Sequence, residues 1–435
     1  MIRLAGKVRR TVLTTLTIAA AGLASVTVPA PVASQQRVRE AAAPAQGAVV
    51  AQVAPVTPVA PAAQVATPAE MQAIIEGVQS PNRKGLDVLT LAEVMERFGV
   101  PGISVAVIHD FEVHWAKGYG IADVETGAPV DVETLFQAAS ISKPVTAMAA
   151  MVAVQDDRFS LDDDINDILA SWQLDGGGFT DGRPVTPRLL FSHTAGLGDG
   201  HGFPGYDPGV PRPTAVQILD GDDPSNVEAV TMVRPPLTAM HYSGGGTTIM
   251  QLALTDVFGE SFPELMRKTV LEPVGMTTST FAQPLPPDRD ANAARAHAGG
   301  QALGDAKWHE YSAMAAAGLW TNARDLARFA IEVQKAARGD PDRVITAASA
   351  AEMLSPIGVG DFAVGFNIMR QGEGWYFSHS GGNWGFTCFL IAHKAKGYGA
   401  AVMTNASGGG QVFREVMERI QRAYGWDSLD KPTLR

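Results

Sequence analysis

One cysteine, Cys388, is present in 435 residues, so no disulfide can form within the chain. It sits in the apolar run Phe386-Thr387-Cys388-Phe389-Leu390. No basic or histidine-rich neighbour activates it, so it reads as a buried structural thiol. Positive charge is also scarce: 34 Lys and Arg against 45 Asp and Glu leave a net charge of −11. The extreme N-terminus is basic, so its removal would make the protein more acidic still. That balance argues against nucleic acid as the main partner. Long hydrophobic runs are missing after the first thirty residues, and nothing later is long and apolar enough to span a bilayer. G-x-S-x-G does not occur, which leaves an α/β-hydrolase elbow unsupported. H-E-x-x-H and a strand-following glycine-rich phosphate loop do not occur either.

What remains is globular, with 46% apolar and 18% charged residues. Arg3, Lys7, Arg9 and Arg10 precede an apolar stretch from Thr11 to Val28. Residues 1–34 therefore read as a signal peptide, with an uncleaved anchor as the alternative. Export to the periplasm or medium follows, and Arg9-Arg10 raises a twin-arginine route. Residues 35–68 are almost wholly Ala, Pro, Val and Gln and read as an extended or disordered spacer. A single domain is expected over 69–427.

Helical spacing appears in Leu86, Leu89, Leu91, Val94 and Met95. Residues 103–109 and 112–118 suggest a hairpin turning at Asp110-Phe111. A helix is expected from about Ser140 to Asp156, and another from Gln411 to Tyr424, where Val412, Val416, Ile420 and Tyr424 recur every four residues. Strand signals return at 375–379, 385–392 and 398–404. Strands at both ends with helices between imply an α/β fold. One antiparallel sheet is built from N- and C-terminal segments and flanked by helices, with an inserted, mainly helical lobe and a cleft between the two.

Acyl transfer through serine needs a hydroxyl, a nearby base and donors for the oxyanion. In Ser140-Ile141-Ser142-Lys143, positions three apart share a helical face, so Lys143 can place its amine beside Ser140. Ser142 is adjacent in sequence and points elsewhere. Pro144 suits the first turn, where a missing N–H costs least. The same S-x-x-K spacing recurs by chance in Ser428-Leu429-Asp430-Lys431. On spacing alone, a nucleophile and a helix-capping serine at Ser140 stand level.

The run Phe136-Gln137-Ala138-Ala139-Ser140-Ile141-Ser142-Lys143 resembles the nucleophile motif of the class C β-lactamase-like serine hydrolases. That superfamily includes family VIII esterases, D-aminopeptidases and low-molecular-weight penicillin-binding proteins. Leu189 to Leu197, Leu271 to Met276 with Thr280-Phe281, and Gly318 to Thr321 with Asp325 to Phe329 are similar to further family segments, in the same order. The resemblance implies that Tyr242, in Tyr242-Ser243-Gly244, acts with Lys143 as general base and acid. Gly244 replaces the usual asparagine. The resemblance also assigns His379-Ser380-Gly381 with Gly382 to the third motif. There the N–H groups of Gly382 and Ser140 would form the oxyanion hole, and His379 would orient substrate or stabilise charge near Tyr242. Gly244, and histidine where a lactamase carries lysine, point away from β-lactam.

The expectation is a serine hydrolase of a small ester or amide, with no cofactor and no metal. D-aminopeptidase or DD-peptidase activity, β-lactamase activity and a non-catalytic penicillin-binding-like scaffold are the alternatives. His193, Asp199 and His201 lie close in sequence but lack metal-ligand spacing. Asp162-Asp163-Asp164 lacks the pattern of a calcium loop. The partner expected is a small-molecule ester, amide or peptide, with no nucleic acid and no stable membrane anchor. Oligomeric state is not legible.

Overall fold

Period-two alternation builds the sheet. Along β1 (Gly102–His109), Ile103, Val105 and Val107 enter one core, while Ala106 and Ile108 enter the other. The computed structural model describes residues 66–429, apart from 81, 83, 84, 181 and 200–202. The signal peptide and nearly all of the spacer lie outside the described residues. Folded structure begins at once: Thr67 caps helix α1 (Pro68–Glu76) through a capping box with Glu70, and Pro68 takes the first helical position. Pro68 therefore belongs to the helix and not to the spacer.

The expected hairpin is present. β1 pairs antiparallel with β2 (Glu112–Asp123), from Gly102 opposite Gly120 to His109 opposite Glu112. Asp110 and Phe111 both have positive φ, the geometry of a tight primed turn. β3 (Ala128–Pro129) pairs with the far end of β2. Four strands come from the last third of the chain: β4 (Asn367–Gln371), β5 (Gly374–Asn383), β6 (Phe386–His393) and β7 (Gly399–Thr404). The seven-stranded order is β3-β2-β1-β7-β6-β5-β4, and every neighbouring pair is antiparallel. The β1–β7 junction closes N- and C-terminal segments into one sheet, so the fold is α/β as expected.

The helices that frame the sheet and the site are α2 (Leu91–Arg97), α3 (Ser142–Gln155), α4 (Gly244–Phe258), α5 (Ala323–Arg338) and α6 (Gly410–Tyr424). On one face of the sheet, Ile75, Leu91, Val94 and Met95 meet Val412, Val416 and Ile420 of α6. On the other face, Leu326, Phe329, Ala330 and Val333 of α5 pack with Ala106, Leu390 and Met403. Between α3 and α5 the chain forms the mainly helical lobe. Two of the sequence segments singled out above are tied together by one buried carboxylate. Asp325 accepts from Thr278 Oγ1 at 2.7 Å and Ser279 Oγ at 2.9 Å, and pairs with Arg328 at 2.9 Å. Among the described residues, no helix is long and apolar enough to cross a membrane.

Candidate active site

Ser140 sits in a single tight turn, Ala139–Ile141, immediately before α3. The turn is strained: Ala139 has φ +48°, unusual for a residue with a side chain. Its position is held by buried contacts. Ser142 Oγ donates to Ala139 O at 2.6 Å and accepts from Leu319 N at 3.0 Å. Cys388 Sγ lies 3.0 Å from Ala138 O, and burial pushes its thiol pKa up. Ser142 and Cys388 are thus parts of the frame. α3 begins two residues after Ser140, so Pro144 falls in its first turn as its missing N–H requires.

Lys143 is buried, and its Nζ lies 3.1 Å from Ser140 Oγ and 2.9 Å from Ala316 O. The same amine stands 5.0 Å from the centre of the Tyr242 ring, a cation–π distance. Tyr242 immediately precedes Ser243, which caps α4. Ser243 Oγ accepts from Gly246 N at 2.8 Å and donates to Asp199 at 2.6 Å, and Gly245 N donates to the same carboxylate. That carboxylate therefore serves the helix cap; His201 lies outside the described residues.

The third motif is inside a strand and not at its end. β4 pairs with β5 only as far as Ser378, whereas β6 continues to Asn383. His379 to Asn383 are thus paired on one side only, and their other edge lies against the Ser140 turn. Gly381 is required there: a Cβ would meet Ala138 O at 2.3 Å and Cys388 Sγ at 2.5 Å. At Gly382 the corresponding space is open. His379 is buried, and its Nδ1 is 2.7 Å from Ser380 O, so Nδ1 carries the proton and Nε2 is left as an acceptor. Burial, helped by the Lys143 charge, lowers its pKa to about 3, so the ring is neutral.

Ser140, Tyr242, His379, Ser380, Gly381 and Gly382 line one cavity of about 360 Å³, with Lys143 behind the serine. The second S-x-x-K match is elsewhere: Ser428 donates to Gln421 and to Tyr376, and Lys431 lies outside the described residues.

A nucleophile-motif serine, its lysine and a tyrosine converge on a glycine-rich strand edge. The family described as Beta-lactamase matches residues 88–424, nearly the whole of the described chain.

The chain belongs to the Beta-lactamase family.

It is a Beta-lactamase-family serine hydrolase, and several relatives place it further. It is 25% identical to penicillin-binding protein 4 of Amycolatopsis lactamdurans, over 74% of this chain and 85% of that one. It is 32% identical to a D-aminopeptidase of Gluconobacter oxydans, over 43% of this chain. That match spans only 33% of the D-aminopeptidase's length. D-amino acid amidase from Ochrobactrum anthropi SV3, solved with D-phenylalanine, aligns with a TM-score of 0.62 over 81% of this chain and 99% of that one. At 21% identity the last likeness speaks for the fold alone.

Several features of this Beta-lactamase-family site carry no motif and escaped the sequence reading. Phe362, Asn367, Met369, Ser378 and Phe389 complete the cavity wall. Asn383 Nδ2 bridges Gln137 Oε1 at 2.9 Å and Ala317 O at 3.1 Å, tying the strand edge to the residues around the nucleophile. Gly244 also gains a physical reason. A Cβ there would meet the Phe203 ring at 2.9 Å, so an aromatic ring stands beside the position where the resemblance expects an asparagine side chain.

Proposed function

We propose that the protein hydrolyses small, uncharged esters or amides through an acyl-enzyme on Ser140. The Ser140 Oγ proton passes to the Lys143–Tyr242 pair as Oγ attacks the carbonyl carbon. The backbone N–H groups of Ser140 and Gly382 receive the negative charge that develops on the carbonyl oxygen. Tyr242 returns the proton to the leaving oxygen or nitrogen as the C–O or C–N bond breaks. Water then adds to the acyl carbon, losing its proton to the same pair, and Ser140 is regenerated with release of the acid. His379, neutral and an acceptor at Nε2, orients substrate. The observation that carries this reading is the 3.1 Å approach of Lys143 Nζ to Ser140 Oγ at the foot of the cavity.

Substrate class is argued from charge. Among the described residues, none that lines the cavity is Asp, Glu, Lys or Arg. A substrate carboxylate, as on a β-lactam or the C-terminus of a peptide, finds no side-chain cation there besides Lys143. An α-ammonium finds no carboxylate. Both charges are costly to bury unpaired, so neutral acyl and leaving groups fit best. D-aminoacyl amides are the second reading, favoured by the D-aminopeptidase relative. The basic and apolar N-terminal segment supports export.

The test is a panel of a p-nitrophenyl ester, a D-alanyl anilide and a chromogenic cephalosporin. The ester is expected to give the highest kcat/KM. Faster turnover of the anilide moves the assignment to D-aminoacyl substrates, and faster turnover of the cephalosporin overturns it.

A further inference from the structure

Tyr242 is gripped from both sides by one residue that does not line the cavity. His193 lies two residues beyond the short helix Pro187–Phe191, and only 2% of it is exposed. Its carbonyl oxygen accepts the N–H of His241 at 2.8 Å. Its Nδ1 accepts the N–H of Ser243 at 3.2 Å. The residues immediately before and after Tyr242 are therefore fastened to the same histidine. Its ring also packs on the tyrosine, with centres 4.3 Å apart and planes inclined by 38°. Phe362, a cavity-wall residue, meets the His193 ring edge-on at 4.8 Å and the Tyr242 ring at 6.0 Å, so the three rings form one cluster.

The imidazole chemistry is settled by these contacts. A nitrogen that accepts an N–H bears no proton, so the neutral ring carries its hydrogen on Nε2. Burial first, and the nearby Lys143 charge second, hold its pKa well below the ordinary histidine value, so the acceptor at Nδ1 persists. The backbone at His193 is left-handed, φ +61°, which presents the carbonyl and the ring to the same stretch of chain. Among side-chain residues, that conformation is best tolerated by Asn, Asp and His.

We propose that His193 is a positioning residue for Tyr242: its carbonyl and Nδ1 fix the backbone on either side of the tyrosine, and its ring fixes the phenol over Lys143 and Ser140. The inference rests on the reading of Tyr242 as the group that returns the proton to the leaving atom. It goes beyond that reading by assigning the accuracy of proton delivery to a residue remote from substrate. Misplacement of a catalytic group by about 1 Å can cost about a hundredfold in rate. The cost falls on the step that needs the proton. A p-nitrophenolate leaves with little help, whereas an alkoxide must be protonated.

The test uses the full chain and two esters of one acid, p-nitrophenyl and ethyl, with three variants. Tyr242→Phe sets the benchmark. His193→Gly removes ring and acceptor but accepts the left-handed backbone. His193→Asn also accepts it, and its side-chain oxygen can take the place of Nδ1. Expected for Tyr242→Phe is a kcat loss at least about tenfold greater on the ethyl ester than on the nitrophenyl ester. His193→Gly should follow in the same direction with KM little changed, and His193→Asn should recover most of the ethyl-ester rate. Thermal melting of each variant reports folding. If the glycine variant does not fold, His193→Phe, which keeps an aromatic ring beside Tyr242 but offers no acceptor to the Ser243 N–H, decides: a loss concentrated on the ethyl ester supports the proposal, and a wild-type ratio or equal losses on both esters overturn it. Equal losses on both esters in His193→Gly, beside a selective loss in Tyr242→Phe, overturn the His193 role and spare the mechanism. No selective loss in Tyr242→Phe itself overturns both.

Discussion

A methyl group at position 381 has nowhere to go, while one residue later there is room. The strand edge at Gly381 approaches Ala138 so closely that a Cβ would lie 2.3 Å from its carbonyl oxygen, whereas at Gly382 the space is open. Gly381→Ala should therefore push the strand away from the Ser140 turn and lower kcat by about a hundredfold with the protein still folded. Gly382→Ala should stay within about threefold of wild type, since its backbone N–H is retained. Paired kinetics on one ester, with circular dichroism of each variant, make the comparison. Equal losses in the two would contradict this account of the edge. Spacing alone brought Lys143 to Ser140; that Tyr242 and His379 would join them was legible only through the family resemblance, and the structure does bring them together. Phe203, Phe362 and Met369 were not legible, because an apolar wall has no signature until folding brings distant residues together. Nothing in the sequence distinguished Gly244 as a lost amide from Gly244 as the neighbour of an aromatic ring.

The elements with a strong period were read closely. β1, α3, α6 and the last two strands lie within two residues of expectation, since alternation or four-residue recurrence marks them, while β2 starts where expected and runs five residues further, to Asp123. β4 was missed: Asn367-Ile-Met-Arg-Gln carries only one β-branched residue, and it is a strand because β5 pairs with it. β5 was read too short for a related reason. Its end, His379 to Asn383, is glycine-rich and is held by pairing with β6. α1 and α6 depend on an interaction that no periodicity announces. Arg419 of α6 is fully buried, pairs with Glu415 at 2.8 Å, and donates to the carbonyls of Ile75, Gly77 and Leu89. Arg419→Ala breaks a buried ion pair and removes the donor from those carbonyls, and should cost about 3–5 kcal/mol. Urea unfolding measures it, and a loss under about 1 kcal/mol would show that α1 is anchored by its apolar contacts instead.

Acid should weaken the fold as a unit before the carboxylates titrate. His379 and His193 are neutral when folded, the first with a pKa lowered to about 3 and the second well below the ordinary 6.5. On unfolding they regain that ordinary value. Below it the unfolded chain binds protons that the folded chain refuses, so stability is complete above pH 6.5 and is lost as pH falls toward the folded values. Replacing His379 by Asn should remove about 1 kcal/mol of the stability lost between about pH 7 and pH 5.5. Parallel urea curves for wild type and variant across that window would test it, and an unchanged slope would mean that His379 is already protonated in the folded protein.

All of this depends on one covalent event. The most direct measurement is the intact mass of the protein after reaction with a fluorophosphonate probe, for wild type and for Ser140→Ala. The account predicts a single adduct in the wild type, mapped to Ser140, and none in the variant. An unmodified wild type, or equal labelling of Ser140→Ala, would contradict it.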